Sequence, residues 1–451
     1  MAALLAPPPA SAQTRTLRVV TYNIEADVNV WPGPLPGLIA PPSNTNDVQA
    51  GGVLEGIGEE IAGNDAPQPV DIFALEETTS NSLTVAPIVA GLNAFYGLAG
   101  LYSNSSYQAT QFGGKTNNGF GNGPNAMVFN THTLQLLASV PVDPAGGTNN
   151  LGSTSGEYRE VMRYKFAPAG VAANASNVFY VYVSHYKSGT GTAIEKDRLG
   201  EAQIIRTNEA IDLPATARVL YVGDYNVTSN GEASYQTILS NAAPNGVQQG
   251  GAIDPMNPSN TPNIDWGMST TDTNILAQES ESDTDLRYRD DFQLMTTNVY
   301  YGAPGGLNFV PGTYHVFANN GSVAYNGSVN SGADTALNNT IPAGSPISAA
   351  QLYLDLVNAS DHLPVVADYT IPVPAPLISG VTLAGSNLVV SAANCATGGY
   401  YVVRTSLNLS VPLTNWTALA TNVAGGGNFT LTATNAVNQT GAGQFYILQE
   451  Q

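Results

Sequence analysis

FYVYVSHYKSGTGTAIEKDRLGEAQIIRTNEAIDLPATARVLYVGDYN, residues 179–226, decides the fold class. Its two apolar runs are too short for helices, and each ends in polar groups: His185 in the first, Asp224 and Asn226 in the second. Such runs read as buried strands. Between them, TAIEKDRLGEAQIIRTNEAIDL (192–213) sets Leu199, Ala202 and Ile205 at helical spacing, with Ile204 and Ile211 on the adjoining face. That spacing predicts an amphipathic helix, and a β-helix-β order belongs to a layered α/β protein.

Three further runs share this design. TLRVVTYN breaks off at Asn23, VDIFALEE at Glu77, and DHLPVVADY begins from Asp361 and His362. Polar groups at strand ends collect along one edge of a sheet, where α/β proteins hold their chemistry. A strand running antiparallel to its neighbours brings its first residues to that same edge, so Asp361 and His362 can join the other sites. The set holds amides, acids and two histidines but no nucleophilic Ser or Cys motif, which points to metal-assisted hydrolysis.

Composition narrows the partners. The 451 residues include 14 basic and 34 acidic ones, for a net charge of -20, which excludes a global polyanion-binding surface. Charged residues are only 11% of the chain against a typical ~25%, so the surface is polar and neutral rather than salt-bridged. Seven of the 14 basic residues, from Arg159 to Arg206, share one stretch with six acids and surround His185, leaving it near neutral. MAALLAPPPASA (1–12) is apolar and ends in a small-x-small signature, so it reads as the remnant of a signal peptide, and the protein is expected to be secreted or periplasmic. No later segment has the ~20 continuous apolar residues of a membrane span. Cys395 is the only cysteine, which excludes an intrachain disulfide. No protein partner is inferable, and a monomer is expected.

WPGPLPGLIAPPSNTND (31–47) is barred from regular structure by its prolines. A helix is expected over about 53–62, loops over 91–125, a strand in NAMVFN (125–130), and long loops near 241–285, 300–312 and 318–348. IPVPAP (371–376) reads as a stiff linker. Beyond it, the short alternating runs of 377–451 predict a small all-β module, with Trp416 and the tyrosines read chiefly as core. The domain plan is therefore 13–370, a linker at 371–376, and 377–451.

Taken in order, TYNIE, ALEET, SHYKS, GDYN, RDDFQLMT and SDHLPV resemble the motifs of the endonuclease/exonuclease/phosphatase superfamily, over about residues 17–370. The resemblance implies a DNase I-like four-layer α/β sandwich, with the β module appended. It makes Glu77 the principal Mg²⁺ ligand, assisted by Asn23 and Asp361, with Mn²⁺ or Ca²⁺ as substitutes. Glu76 stands where the family usually has Gln, which leaves open which adjacent acid binds metal; in a strand the two point to opposite faces. His362 would be the general base, oriented by Asp291, with Asp290 as the competing candidate. His185 would bind the scissile phosphate or protonate the leaving oxygen, and Asp224 and Asn226 would orient the nucleophile and stabilise the transition state.

The resemblance thus implies a metal-dependent phosphoric ester hydrolase, read first as a nuclease with DNA or RNA as substrate. Sphingomyelinase-like or phosphomonoesterase activity is the rival within enzymes, and a non-catalytic binding protein the rival outside them. His132 and His315 are expected to be ordinary satisfied groups, ESDTDLRYRDD a solvated acidic loop, and Arg198 either a phosphate contact or a solvated helix position.

Overall fold

A computed structural model describes residues 13–26, 37–39, 52–61, 67–105, 123–142, 161–241, 251–282, 284–373, 376–393, 395, 400–412, 415–424, 428–437 and 444–450. The 1–12 segment and Arg159 lie outside them. Two mixed sheets form the larger unit. The first contains β1 (Gln13–Asn23), β2 (Ile72–Glu76), β3 (Tyr102–Asn104), β4 (Ala126–Asn130), β11 (Asn308–Phe309), β12 (His315–Val316) and β13 (Val365–Val373), in the order β11-β13-β1-β2-β4-β3 with β12 also on β13. The second runs β5-β6-β7-β8-β10-β9, from Leu134–Pro141, Met162–Pro168, Phe179–His185, Val219–Asp224, Asp291–Thr296 and Ala252–Ile253 respectively.

The sheets pack face to face. β2, β8 and β10 are buried along their whole length, as strands covered on both faces must be. Val19, Val20 and Phe73 from one sheet share a core with Phe166, Val181 and Val222 from the other. Gln293 on β10 crosses that core, its Nε2 donating to the carbonyls of Val19 at 2.9 Å and Val365 at 2.7 Å. Buried amides are tolerated only when so satisfied, and this one ties the two sheets in one register. Helices cover the outer faces: Val53–Glu59, Ala86–Phe95 and Ala349–Ala359 carry core residues for the first sheet, and Thr192–Asp212 with Ala233–Leu239 pack on the second. The result is the expected four-layer sandwich of DNase I-like type.

Several local expectations change. The helix at Ala349–Ala359 was not visible as such in the apolar pattern; Ser348 caps it, its side chain accepting from the Gln351 amide. Residues 91–95 complete a helix rather than a loop, and Tyr102–Asn104 adds an edge strand. β13 runs on through Pro372 to Val373, pairing with Gln13–Arg15, so the first half of IPVPAP is strand and not linker. Pro372 is tolerated in that pairing because proline withholds only its own N–H.

The C-terminal module has two three-stranded sheets. Leu377–Ala384, Asn387–Ala393 and Phe429–Ala433 make one; Thr417–Val423, Tyr400–Ser406 and Phe445–Glu450 make the other. Leu388, Val390, Tyr401, Val403, Leu431 and Leu448 form its core. Trp416 is 8% exposed and donates through Nε1 to the Val411 carbonyl, a core role.

Candidate active site

Strand register builds the site. β7 and β8 are parallel with His185 opposite Asp224, while β10 is antiparallel to β8 with Asp291 opposite Asp224. His185, Asp224 and Asp291 therefore stand in one row across the second sheet. In the first sheet β1 and β2 are parallel with Asn23 opposite Glu76, and β13 enters antiparallel to β1, which brings Asp361 and His362 to the same edge. Between β7 and β8 the backbones approach so closely that a Cβ at Gly223, where φ is +140°, would lie 1.9 Å from the Ser184 carbonyl oxygen. Only glycine fits before Asp224.

His362 is held from behind. Its Nδ1 lies 2.8 Å from Asp291 Oδ2, which also accepts from Ser280 Oγ at 2.8 Å. Its backbone N–H donates to Ser360 Oγ, and that hydroxyl donates to the Asn23 carbonyl, linking β13 to the end of β1. Asp291, not Asp290, meets the imidazole; Asp290 lies against Glu281. Nε2 faces the site, 3.5 Å from Asn23 Nδ2, 3.8 Å from Asp361 Oδ1 and 3.9 Å from Asp224 Oδ2. Burial opposes the charged imidazole, but Asp291, Asp224 and Asp361 outweigh it and raise its pKa well above the ordinary histidine range.

On the other flank of Asp224, His185 Nε2 lies 3.4 Å from Asp224 Oδ2 and 3.5 Å from Glu77 Oε1. Asp224 thus sits between two imidazoles. It also accepts from Asn23 Nδ2 at 3.0 Å and from Asn226 Nδ2 at 2.8 Å. The Asn226 amide in turn reaches the Tyr186 carbonyl at 3.1 Å, tying the GDYN turn to the residue after His185.

Glu76 and Glu77 do not point to opposite faces. β2 ends at Glu76, and Glu77 takes a left-handed φ of 53°, which breaks the alternation and leaves both acids at the site edge. Glu76 is fully buried: Oε1 accepts from Thr21 Oγ1 at 3.2 Å, and Oε2 has no hydrogen-bond partner among the described residues. Burial, then the charges of Asp291 and Asp224, push its carboxyl well above the usual range. Asp224 is pushed up by burial too, with Asp291 and Glu281 adding to it and His362 opposing. This crowd of buried oxygen donors with an orphaned carboxylate oxygen fits a hard divalent cation, whose charge would relieve it. Asn23 turns Nδ2 toward Asp224 and keeps Oδ1 on the Glu25 amide, so it stands as a donor in this arrangement.

Two residues with a place at the site were missed or misread in the sequence. Glu281 belongs to a stretch that reads as a solvated acidic loop, yet it bridges His362 in backbone pairing, and its carboxylate lies within 4.8 Å of Asp361 and His362 ligand atoms. Alternating acids gave no signal separating it from Asp285, which pairs with Arg287 at the surface. Arg198 is neither a phosphate contact nor solvated. It is buried, grips both Glu232 oxygens at 2.6 and 2.8 Å, and donates through Nη1 to the carbonyls of Lys187 and Gly189, both at 2.9 Å. A cavity of about 380 Å³ opens beside it, lined by Thr192, Lys196, Thr228, Ser229 and Glu232 among others, with Thr228 two residues beyond Asn226. His315 is satisfied as expected, by Glu60 Oε2 and the Thr313 carbonyl, each at 2.8 Å.

No protein-family model matches the chain, and no curated protein matches it. Solved structures do. The chain is similar to the human Nocturnin catalytic domain with bound sulfate, at 14% identity and a TM-score of 0.41, over 79% of this chain and 97% of that one. It is similar to D. rerio TDP2 complexed with single-strand DNA product, at 11% identity and a TM-score of 0.38, over 78% and 98%. An endonuclease/exonuclease/phosphatase from Beutenbergia cavernae aligns over 97% of this chain and 100% of that one, at 14% identity and a TM-score of 0.35.

Proposed function

We propose that this chain is a divalent-cation-dependent phosphodiesterase of the endonuclease/exonuclease/phosphatase superfamily, exported from the cell, that hydrolyses DNA or RNA by water attack on phosphorus. The observation that carries this reading is the pair of imidazoles flanking Asp224, one of them backed by a buried carboxylate at 2.8 Å.

Asp291 fixes the proton on Nδ1 of His362 and leaves Nε2 to take one from water. Asp224, oriented by the Asn226 amide, holds that water against His362. His185, on the opposite flank, faces the phosphate and supplies a donor to the leaving oxygen. Glu77 would hold the cation with Asp361 alongside, and Asn23 would join through Oδ1 once its amide turns over. When bound, the cation neutralises charge on the phosphoryl oxygens.

The basic residues around His185 are mostly engaged. Arg163 binds Asn208 and Asp212, Arg198 binds Glu232, and Arg206 pairs with Glu209 and Tyr221. Lys196 is exposed on the cavity rim. A polymer would thus be held through few phosphates, giving a shallow salt slope of about -0.9 per contact on duplex DNA and little sequence preference.

Plasmid DNA, RNA, sphingomyelin and a phosphomonoester assayed side by side test the proposal, each in EDTA and in Mg²⁺. Nucleic-acid cleavage that vanishes in EDTA and returns with Mg²⁺ or Mn²⁺ is expected. Turnover of sphingomyelin or the monoester alone rejects the nuclease assignment, and full activity in chelator rejects the metal-assisted chemistry.

A further inference from the structure

The two sheets of the C-terminal module do not cover each other evenly. In the first, Leu377–Ala384 (β14) pairs with Asn387–Ala393 (β15), which pairs with Phe429–Ala433 (β18). Register sets Ile378, Val381 and Leu383 of β14 opposite Ala392, Val390 and Leu388 of β15, so both triplets lie on the face that turns to the core. The β15 triplet is buried, each residue 2% exposed, whereas Ile378, Val381 and Leu383 are 38, 55 and 63% exposed. The facing sheet, made of Thr417–Val423 (β17), Tyr400–Ser406 (β16) and Phe445–Glu450 (β19), therefore covers β15 and leaves β14 overhanging with its apolar face bare.

Shape and charge say what covers that face. β17 lies against β18, which puts β19 on the side of β14, and both β14 and β19 are edge strands among the described residues. A second copy related by a two-fold axis meets the overhang with its own. β14 of each copy then lies over β14 of the other and runs alongside the other's β19, so one operation covers both apolar stripes and gives all four edges a neighbour. Residues 377–451 hold one basic and one acidic residue, Arg404 and Glu450, so the other 13 basic and 33 acidic residues, and with them the net charge of -20, lie in the rest of the chain. Two copies thus repel except through this module. β14 itself has none of the charged residues or prolines by which an open edge is protected.

We propose that the protein forms a two-fold dimer through β14 of the C-terminal module, with Ile378, Val381 and Leu383 of the two copies lapped against one another, in place of the monomer expected from the sequence. Eight strand residues run about 27 Å. Lapping one strand per copy is an interface at the low end of specific ones, about 1,200 Å² or less, so the dimer is a micromolar one. Because the apposed surfaces are uncharged while the bodies behind them repel, salt strengthens the association. The dimer does not depend on which reaction the chain catalyses.

Sedimentation equilibrium of the full chain from about 1 to 200 μM tests this. The mass should rise from 46.9 kDa toward twice that value and stop there, with a midpoint that falls as NaCl is added. Val381→Lys and Leu383→Lys, which bury a charge only in the dimer, should each weaken association at least ~10-fold. Thr382→Lys, on the opposite face of the same strand, should stay within about 2-fold of wild type. All three positions are exposed in the single chain, so each variant should keep the wild-type urea midpoint at low concentration. A wild type that stays at 46.9 kDa at the highest concentration overturns the dimer, and so does a mass growing past two copies, which marks open-ended edge pairing. Dimerisation untouched by both Val381→Lys and Leu383→Lys overturns the lapped stripe. A single chain that floats with phosphatidylcholine vesicles overturns the second copy in favour of a lipid surface.

Discussion

Arg198→Met separates holding the fold from holding the site. The guanidinium is 1% exposed and makes four bonds, two to Glu232 and two to the backbone carbonyls of Lys187 and Gly189. Its loss leaves a buried carboxylate without its cation, a change of about 3–5 kcal/mol. Because Ser234 Oγ still donates to Glu232 at 2.7 Å, the lower end, about 3 kcal/mol, is expected in urea unfolding. The double variant Arg198→Met/Glu232→Leu should recover most of that, since apolar replacement of a buried pair is neutral to stabilising. The Lys187 and Gly189 carbonyls lose the Arg198 donor in both variants, however, while the Lys187 amide stays on Glu201 Oε2 at 3.0 Å. A displacement near 1 Å at His185 is enough for a loss of about 10²-fold, so turnover should stay low in the double variant although stability returns. Recovery of stability together with wild-type turnover would refute the claim that Arg198 positions His185, and a loss under about 1 kcal/mol in the single variant would refute the burial argument.

Three further outcomes rest on the same geometry. Burial works against both partners of the His315–Glu60 pair, but each outweighs it in the other, so the His315 pKa rises and that of Glu60 falls. The histidine part is complete below about pH 6.5 and lost as pH rises through the raised value, while the Glu60 part is present above about pH 4.3 and lost as pH falls through the lowered one; His315→Gln should therefore destabilise more at pH 6 than at pH 9, and equal urea midpoint shifts would contradict it. At Glu77, whose φ is 53°, Gly should be about 1 kcal/mol more stable than Ala with hydrolysis lost in both, and equal stability would mean the left-handed backbone is not enforced. A chain ending at Val373 should keep Ile371 and Val373 buried and be more stable, by about 2–5 kcal/mol, than one ending at Thr370; identical unfolding curves would show that the last turn of β13 contributes nothing.

The sequence carried the site better than the loops. Strand ends are legible because a buried strand needs an uninterrupted apolar run, so His185, Asp224 and Asn23 announce themselves as the residues where the run stops. Antiparallel entry then places His362 without further information. Gly223 is equally readable after the fact, since its neighbour Asp224 can face His185 only if nothing projects between β7 and β8. Glu281 and Arg198 were not readable, because their partners lie far along the chain: 80 residues separate Glu281 from Asp361, and Arg198 meets Glu232 34 positions away. Composition treats such residues as solvated, and only tertiary packing reveals the partner. The helix at Ala349–Ala359 escaped for a different reason, lying just past a polar stretch whose Gly and Pro dominate the local pattern.

Backbone and charge at the site are unfavourable in the same places. Glu25, Glu77 and Asn226 each come one or two residues after the end of a strand, and all three hold φ between 48° and 53°, a region that asparagine tolerates and glutamate disfavours. The left-handed turn at Glu77 is what carries its carboxylate to His185, beside Glu76 and Asp224, where burial already opposes ionisation. Such strain persists only when the surroundings over-determine it. Here they do so through buried ion pairs set back from the edge: Arg18 on β1 grips both Asp368 oxygens on β13, and Arg289, just before β10, grips both Asp254 oxygens while packing on Phe292. These pairs lock the strands that deliver Asn23, His362 and Asp291. The acids at the edge are thereby prevented from moving apart, and a cation held among them would relieve their mutual repulsion.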